Sequence, residues 1–227
     1  MRRAFHAPDA GPAHRRERAA DLADRSGPCW RKHASAEYRG RATDPAALTS
    51  TPMSTPSLPE VWLRGPVHGI DAALQPVAHA LLQAREDLAR ATAGLGPAEL
   101  WATPGGAASI GFHLRHIAGS IDRLLTYARG AALDDAQRAA LAGEGRPGEP
   151  PEELDTLIAG VNRSIDRALE QVRATAPATL DAARTVGRSA LPSTVRGLLF
   201  HAAEHAQRHV GQVIVTAKVV RAAGVHP

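Results

Sequence analysis

Three histidines follow one another at intervals of four residues near the C-terminal end of the chain. They are His201, His205 and His209, in the run HAAEHAQRHVGQ. Residues four apart in an α-helix lie on one face, each advanced by about 40°. A neutral imidazole nitrogen donates a lone pair and is a common metal ligand. Two neighbouring histidines of this run could therefore bind one metal ion together.

The apolar face of the same predicted helix indicates which two histidines are favoured. His209 lies about 40° and His205 about 80° from the centre of the apolar stripe near Val213. Gln212 lies about 100° and His201 about 120° from that centre. His205 and His209 are therefore the predicted ligand pair, and His201 is expected nearest to solvent.

A second histidine pair, His113 and His116, lies far away in sequence, in a second predicted helix. Two ligands from one helix rarely suffice for a metal site, so we expect a third ligand from elsewhere. Periodicity places His113 about 60° and His116 about 120° from the apolar stripe of its helix. This favours His113 slightly and leaves both residues as candidates.

Apolar residues recur every three or four positions in four long segments, which predicts an all-α protein built as a four-helix bundle. Ser109 is predicted to cap the second long helix, and Asp134 with Gln137 to open a short helix. The last long helix is expected to open at residues 192–194. Residues 176–192 form a connection with one expected helical turn near Thr179, and the chain has no convincing strand pattern.

Residues 1–58 have no sustained periodicity and are predicted to be a disordered basic extension, followed by a helical domain at residues 59–227. Met53 directly precedes the organised sequence and is an alternative start. Residues 1–52 contain ten basic and six acidic residues, whereas residues 53–227 contain seventeen of each. The helical domain is therefore neutral, which argues against a nucleic-acid-binding surface.

The only cysteine, Cys29, lies in the leading segment. The helical domain therefore has no disulfide, cysteine-ligated zinc or cysteine nucleophile. The sequence contains neither a membrane-spanning apolar stretch nor a secretion signal. We expect a cytoplasmic protein with a small-molecule substrate, no nucleic-acid or membrane partner, and a homodimer as the candidate assembly.

Two of these motifs resemble those of DinB-like proteins. The segment Ser109-Ile-Gly-Phe-His-Leu-Arg-His116 is similar to the family's second helix, in which a Ser or Thr opens the helix and a ligand His follows seven residues later. The run from His201 to Gly211 and Gln212 resembles the family's last-helix motif, which ends in a Gly-Gln pair. The resemblance covers about residues 60–222.

The resemblance implies a four-helix bundle of the DinB-like type that binds one divalent metal ion through His116, His205 and His209. His113 is then not a ligand, and His201 matches a recurrent position that usually is not one. The implied metal is zinc or nickel, with iron or manganese as alternatives. Three neutral ligands leave an open coordination position, as in catalytic zinc sites.

Some relatives are thiol-dependent transferases or isomerases, so the resemblance favours a metal-dependent enzyme such as a low-molecular-weight-thiol S-transferase. The alternatives are a non-catalytic, stress-related metal-binding bundle and a metal-dependent hydrolase. Glu204 is a candidate for proton transfer, and His201 and Gln212 are candidates for orienting substrate. Arg115 and Arg208 could attract an anionic thiol cofactor.

Overall fold

The computed structural model describes residues 58–224, which are mostly helical. The helices are α1 (Gln75–Thr92), α2 (Pro97–Trp101), α3 (Ile110–Ala128), α4 (Asp135–Gly143), α5 (Leu154–Ala174) and α6 (Val195–Ala222). Short 3-10 turns are formed by Val61–Arg64, Ala72–Leu74, Pro104–Gly106 and Pro177–Thr179. A hairpin of β1 (Ala183–Val186) and β2 (Leu191–Thr194) directly precedes α6.

The four long helices, α1, α3, α5 and α6, enclose one apolar core. Both α1 and α3 pack against α5 and also against α6, so the four helices form a closed ring of neighbours. The largest fully buried side chains are Leu74, Leu81, Leu88, Leu100, Ile110, Leu114, Ile117, Ile121, Ile165, Leu180, Leu199 and Val161. Burying each such side chain stabilises the fold by roughly 1.5–3 kcal/mol. The predicted all-α bundle is confirmed.

Polar side chains begin three of the helices, two of them as the sequence predicted. Ser109 accepts a hydrogen bond from the backbone amide three residues later and starts α3. Asp134 and Gln137 form a reciprocal capping box at α4. Thr194 caps α6 in the same way. Each cap satisfies backbone donors that the first helical turn leaves free, which is typically worth about 1 kcal/mol.

The β-hairpin corrects the expectation that the chain has no strands. Ala183 pairs with Thr194 and Val186 with Leu191 in antiparallel register. Each strand has only four residues and lacks a regular alternation of apolar side chains, so the pattern that predicts strands is absent. Residues 192–194, expected to open the last helix, lie in β2 instead. The predicted turn near Thr179 is confirmed.

The predicted disordered extension, apart from Leu58, lies outside the residues that the structure describes, as do Met53 and Cys29. Its boundary with the helical domain therefore stays a prediction. Among the described helices, none combines the length and the apolar character needed to cross a membrane.

Candidate metal centre

Helices α3 and α6 bring His116, His205 and His209 together. One nitrogen from each ring lies within 4.8 Å of the corresponding nitrogens of the other two. The ring centroid of His116 is 4.4 Å from that of His209 and 5.1 Å from that of His205. Nitrogens that bind one tetrahedral zinc ion lie about 3.3 Å apart. The cluster is therefore close enough to hold one metal ion.

Glu144 determines how the His116 ring is oriented. Its Oε2 lies 2.7 Å from His116 Nδ1. An ionised carboxylate can only accept a hydrogen bond, so Nδ1 carries the hydrogen, and in the neutral ring the lone pair is then at Nε2. His116 Nε2 points toward His205 Nε2, at 2.9 Å. A carboxylate that holds a histidine in this way is a usual companion of a metal-ligating imidazole.

Arg123 stabilises the ionised form of the buried Glu144 carboxyl group. Both side chains are buried, and Arg123 Nη1 donates to Glu144 Oε1 at 2.7 Å. Burial raises the pKa of the Glu144 carboxyl. Hydrogen bonds from His116 and Arg123, the charge of Arg123 and, when that ring is protonated, the charge of His116 outweigh burial and bring the pKa below its ordinary value. A Cβ atom at Gly119 would lie 2.6 Å from both Arg123 Nη1 and Glu144 Oε1, so glycine makes room for this ion pair.

The loop between α4 and α5 is tied to α3 beside Glu144. Arg115 donates to the Glu152 carboxylate at 2.7 Å and to the Pro147 carbonyl at 2.9 Å. Its guanidinium also lies 5.1 Å from the ring of Trp101, whose Nε1 donates to the Glu152 carbonyl. These contacts hold the loop against α3. Arg115, a predicted attractor of an anionic cofactor, is thus occupied by the loop.

His113 is a partner of the cluster rather than a member. Its Nδ1 lies 3.0 Å from His209 Nδ1, and the side chain is buried. Burial, and then the charge of His116, lower the pKa of His113, so the neutral ring can accept a hydrogen bond from His209. The slight preference of periodicity for His113 over His116 as a cluster member is not supported. His113 is more deeply buried than His116. It lies one turn before His116 on α3, where it contacts Nδ1 of His209.

Two of the three histidines on α6, His205 and His209, have lowered pKa values that favour the neutral form required for metal binding. Burial and the charges of neighbouring histidines lower the pKa of His209 to about 4. Burial, followed by the charge of His116, also lowers the pKa of His205. His205 Nδ1 is buried and has no hydrogen-bond partner among the described residues. The His205 ring is therefore held at Nε2 by its contact with His116 and at Nδ1 by packing alone.

The remaining candidates on α6 lie toward solvent. Glu204 pairs with Arg208 and lies 3.1 Å from His201 Nδ1. The hydrogen bond from Arg208 is the main reason that the pKa of Glu204 is below its ordinary value. Glu204 is therefore ionised and paired, and Arg208 is occupied by it. His201 is exposed, as predicted, and its ring centroid is 5.2 Å from that of His205. Gln212 is also exposed.

A small cavity adjoins the cluster. Its volume is about 240 Å³, and His116 and His205 form part of its wall. Arg123, Tyr127 and His201 contribute polar groups to the same wall. Leu124, Leu133 and Leu141 contribute an apolar side. A small molecule in this cavity would lie beside His116 and His205 of the cluster.

The sequence model of the DinB superfamily matches residues 80–213. This match covers more than half of the chain and includes α3, α5 and the whole histidine run on α6. The chain therefore belongs to the DinB superfamily, and the resemblance noted from the two motifs is confirmed. No curated protein sequence matches the chain.

Sequence reasoning missed Gly119, Arg123 and Glu144. A signal for two of them was present, because Gly119 and Arg123 follow His116 at intervals of three and seven residues and so share its face of α3. Glu144 directly follows α4, in a region rich in glycine and proline, and gives no periodic signal. Only the path of that chain segment in space brings its carboxylate to His116.

Proposed function

We propose that this protein is a divalent-metal-dependent enzyme that transfers a group to or from a low-molecular-weight thiol, with His116, His205 and His209 as the metal ligands. The observation that carries the proposal is the convergence of three imidazole nitrogens, within 4.8 Å of one another, beside a small cavity. Zinc and nickel are the proposed metals, because both bind neutral imidazole well; iron and manganese are the alternatives.

The donor set fits such an ion. His205 and His209 have lowered pKa values, so little proton displacement is needed at neutral pH. Glu144 makes the His116 ring a better electron donor through the hydrogen bond at Nδ1. When bound, the metal would stabilise a thiolate and lower the pKa of the bound thiol. Three protein ligands leave room for that sulfur from the cavity.

The chain's own groups favour a thiol supplied from outside. No cysteine is present in residues 53–227, so an internal thiol nucleophile is excluded there. The leucines of the cavity wall suit the apolar part of a bound thiol or of its electrophilic partner. His201 lies at the exposed edge and can take up the thiol proton, whereas Glu204 is already paired with Arg208.

The test uses the full chain loaded with zinc or nickel. Conjugation of an electrophile is followed with glutathione, bacillithiol and mycothiol, one at a time. The expected result is a thiol-dependent rate that His209→Ala abolishes and His79→Ala leaves unchanged. His79 is a matched control because it lies on α1 and contacts the Gly65 carbonyl.

Two outcomes would favour the alternatives. Cleavage of ester or amide substrates without any thiol, also lost in His209→Ala, would identify a hydrolase. Equal conjugation rates in the wild-type and His209→Ala proteins with every thiol, together with stoichiometric metal in the wild type, would favour a non-catalytic metal-binding bundle.

A further inference from the structure

A buried guanidinium lies in the cavity beside the histidine cluster. Arg123 is only 8% exposed, yet it lines the same cavity as His116 and His205. It lies two turns after His116 on α3 and so points to the same side of the helix. A positive charge at this place would act on any anion that reaches the cluster through the cavity.

Arg123 uses only part of its hydrogen-bonding capacity within the protein. A guanidinium has five N–H donors, and Arg123 donates to Glu144 through Nη1. In residues 58–224, its other N–H groups meet no protein acceptor. Glu144 divides its two oxygens between Arg123 and His116, so the usual two-pronged pairing of arginine with one carboxylate is not formed here. The remaining N–H groups of the Arg123 guanidinium are therefore available to bind a second anion.

The two arginines proposed from the sequence, Arg115 and Arg208, are already occupied. Arg115 binds the loop between α4 and α5, and Arg208 pairs with Glu204 on the outer side of α6. Arg123 is the arginine of these three that lines the cavity. Arginine binds planar carboxylates with two parallel hydrogen bonds, which makes it more selective for them than lysine.

We propose that Arg123 binds the carboxylate of the ligand whose sulfur reaches the histidine cluster, so that the protein selects carboxylate-bearing thiols over neutral ones. This inference rests on the proposed function, because it assumes a thiol at the cluster. The cavity, with a volume of about 240 Å³, has room for a short chain of carbon atoms between sulfur and carboxylate. The leucine side of the cavity would contact those carbons.

The experiment compares two thiols of equal length in the cobalt(II)-loaded full chain. They are 3-mercaptopropionate, which carries a carboxylate, and 3-mercapto-1-propanol, which carries a hydroxyl group instead. Binding is followed by the sulfur-to-cobalt charge-transfer absorption, and each titration is corrected for the thiolate fraction of the free thiol. The wild-type protein is expected to bind the carboxylate thiol about tenfold more tightly, as for a hydrogen-bonded charged pair.

The Arg123→Gln protein is expected to bind both thiols equally, so the wild-type preference for the carboxylate thiol is lost even if the affinity for both changes through Glu144. This cycle of two proteins and two ligands isolates the contact between guanidinium and carboxylate. Arg123→Lys is a second variant that tests the inference even if the glutamine variant fails to fold or to bind metal. It keeps a positive charge beside Glu144 and should retain cobalt, with the preference reduced to roughly threefold because the fork is lost.

Three results would overturn the inference. An unchanged preference in both variants would show that another group binds the carboxylate. Absorption with both thiols but no preference in the wild type would overturn the role of Arg123 and leave the proposed function standing. Absence of the absorption with either thiol would overturn the proposed function, and the role of Arg123 would fall with it.

Discussion

His116 donates its Nδ1 hydrogen to Glu144 across 2.7 Å, which joins the end of α4 to the histidine cluster between α3 and α6. This single bond fixes which nitrogen of His116 faces the other histidines. The Glu144 carboxylate in turn accepts a hydrogen bond from Arg123, in the space that Gly119 leaves free. Residues from the loop region therefore contribute to the properties of a site whose proposed ligands all lie on helices.

Replacing Glu144 by glutamine should weaken metal binding without abolishing it. The amide keeps the size of the side chain but removes the negative charge that makes His116 a strong donor and that pairs with Arg123. Loss of such an outer contact typically costs 10–100-fold in metal affinity, so we expect a decrease of about that size. Competition with a chromophoric chelator measures it.

Glu152→Gln is the matched control, since Glu152 belongs to the same loop and its carboxylate binds Arg115 rather than a histidine. It should retain metal affinity close to that of the wild type, because the amide oxygen can still accept from Arg115 and the contacts with the Pro147 and Glu152 carbonyls remain. Equal affinity in the Glu144→Gln and wild-type proteins would show that the hydrogen bond to His116 does not tune the site.

Removal of any one proposed ligand should abolish stoichiometric metal binding. His116→Ala, His205→Ala and His209→Ala each leave two imidazoles, too few for a stable site in the nitrogen cluster. His201→Ala should keep the metal, because that side chain is exposed and lies outside the cluster. Elemental analysis of the purified full-length proteins gives the ratio of metal to protein. Full occupancy in His205→Ala would rule out the assignment.

A methyl group at Gly119 should disturb both stability and metal binding. It would lie 2.6 Å from the Arg123 and Glu144 polar atoms, well inside van der Waals contact, and so would push the ion pair apart. We expect Gly119→Ala to lower the free energy of unfolding by about 1–3 kcal/mol, the usual cost of overpacking, and to weaken metal binding. Thermal unfolding with and without metal measures both effects.

Gly160→Ala in α5 is the matched control, because its nearest neighbour would be Arg163 Nη2, at 3.8 Å. Alanine has a higher helix propensity than glycine, so this change should stabilise the protein by up to about 1 kcal/mol. A similar loss of stability in both variants would show that the crowding at Gly119 has no special effect.

The sequence predicted the parts of this structure that depend on local periodicity. The four long helices repeat apolar residues at the helical spacing, and the caps at Ser109 and Asp134 act within three residues along the chain. The clustering of His205 with His209 follows from the i, i+4 spacing, and the choice of His116 came from family resemblance. That these histidines bind metal stays a prediction.

The features that the sequence did not predict depend on distant contacts or on weak local patterns. Glu144 meets His116 because Arg115 and Trp101 hold the following loop on α3, and no periodic pattern records such contacts. The β-hairpin is formed by backbone pairing of short strands whose side chains do not alternate. The partnership of His113 with His209 requires the relative placement of α3 and α6, which a helical wheel for one helix cannot give.

The metal-free protein should lose stability as the pH falls below neutrality. An unfolded histidine has a pKa of about 6.5, whereas burial lowers the pKa of folded His209 to about 4. Between these two values the unfolded chain binds a proton that the folded protein does not, so stability decreases as the pH falls through this window and levels off below about pH 4. The lowered pKa values of His113 and His205 act in the same direction.

Chemical unfolding of the metal-free protein between pH 7 and pH 5 tests this dependence. This pH range lies above the pKa of most carboxyl groups. His209→Gln removes one of the three groups and should give a shallower decrease than the wild type, while His79→Gln, outside the cluster, should retain the wild-type slope. Saturating zinc should make the decrease steeper, because the ion binds only deprotonated imidazoles and stabilises the folded state alone. A pH-independent midpoint in the metal-free wild type would contradict the burial of neutral histidines between α3 and α6.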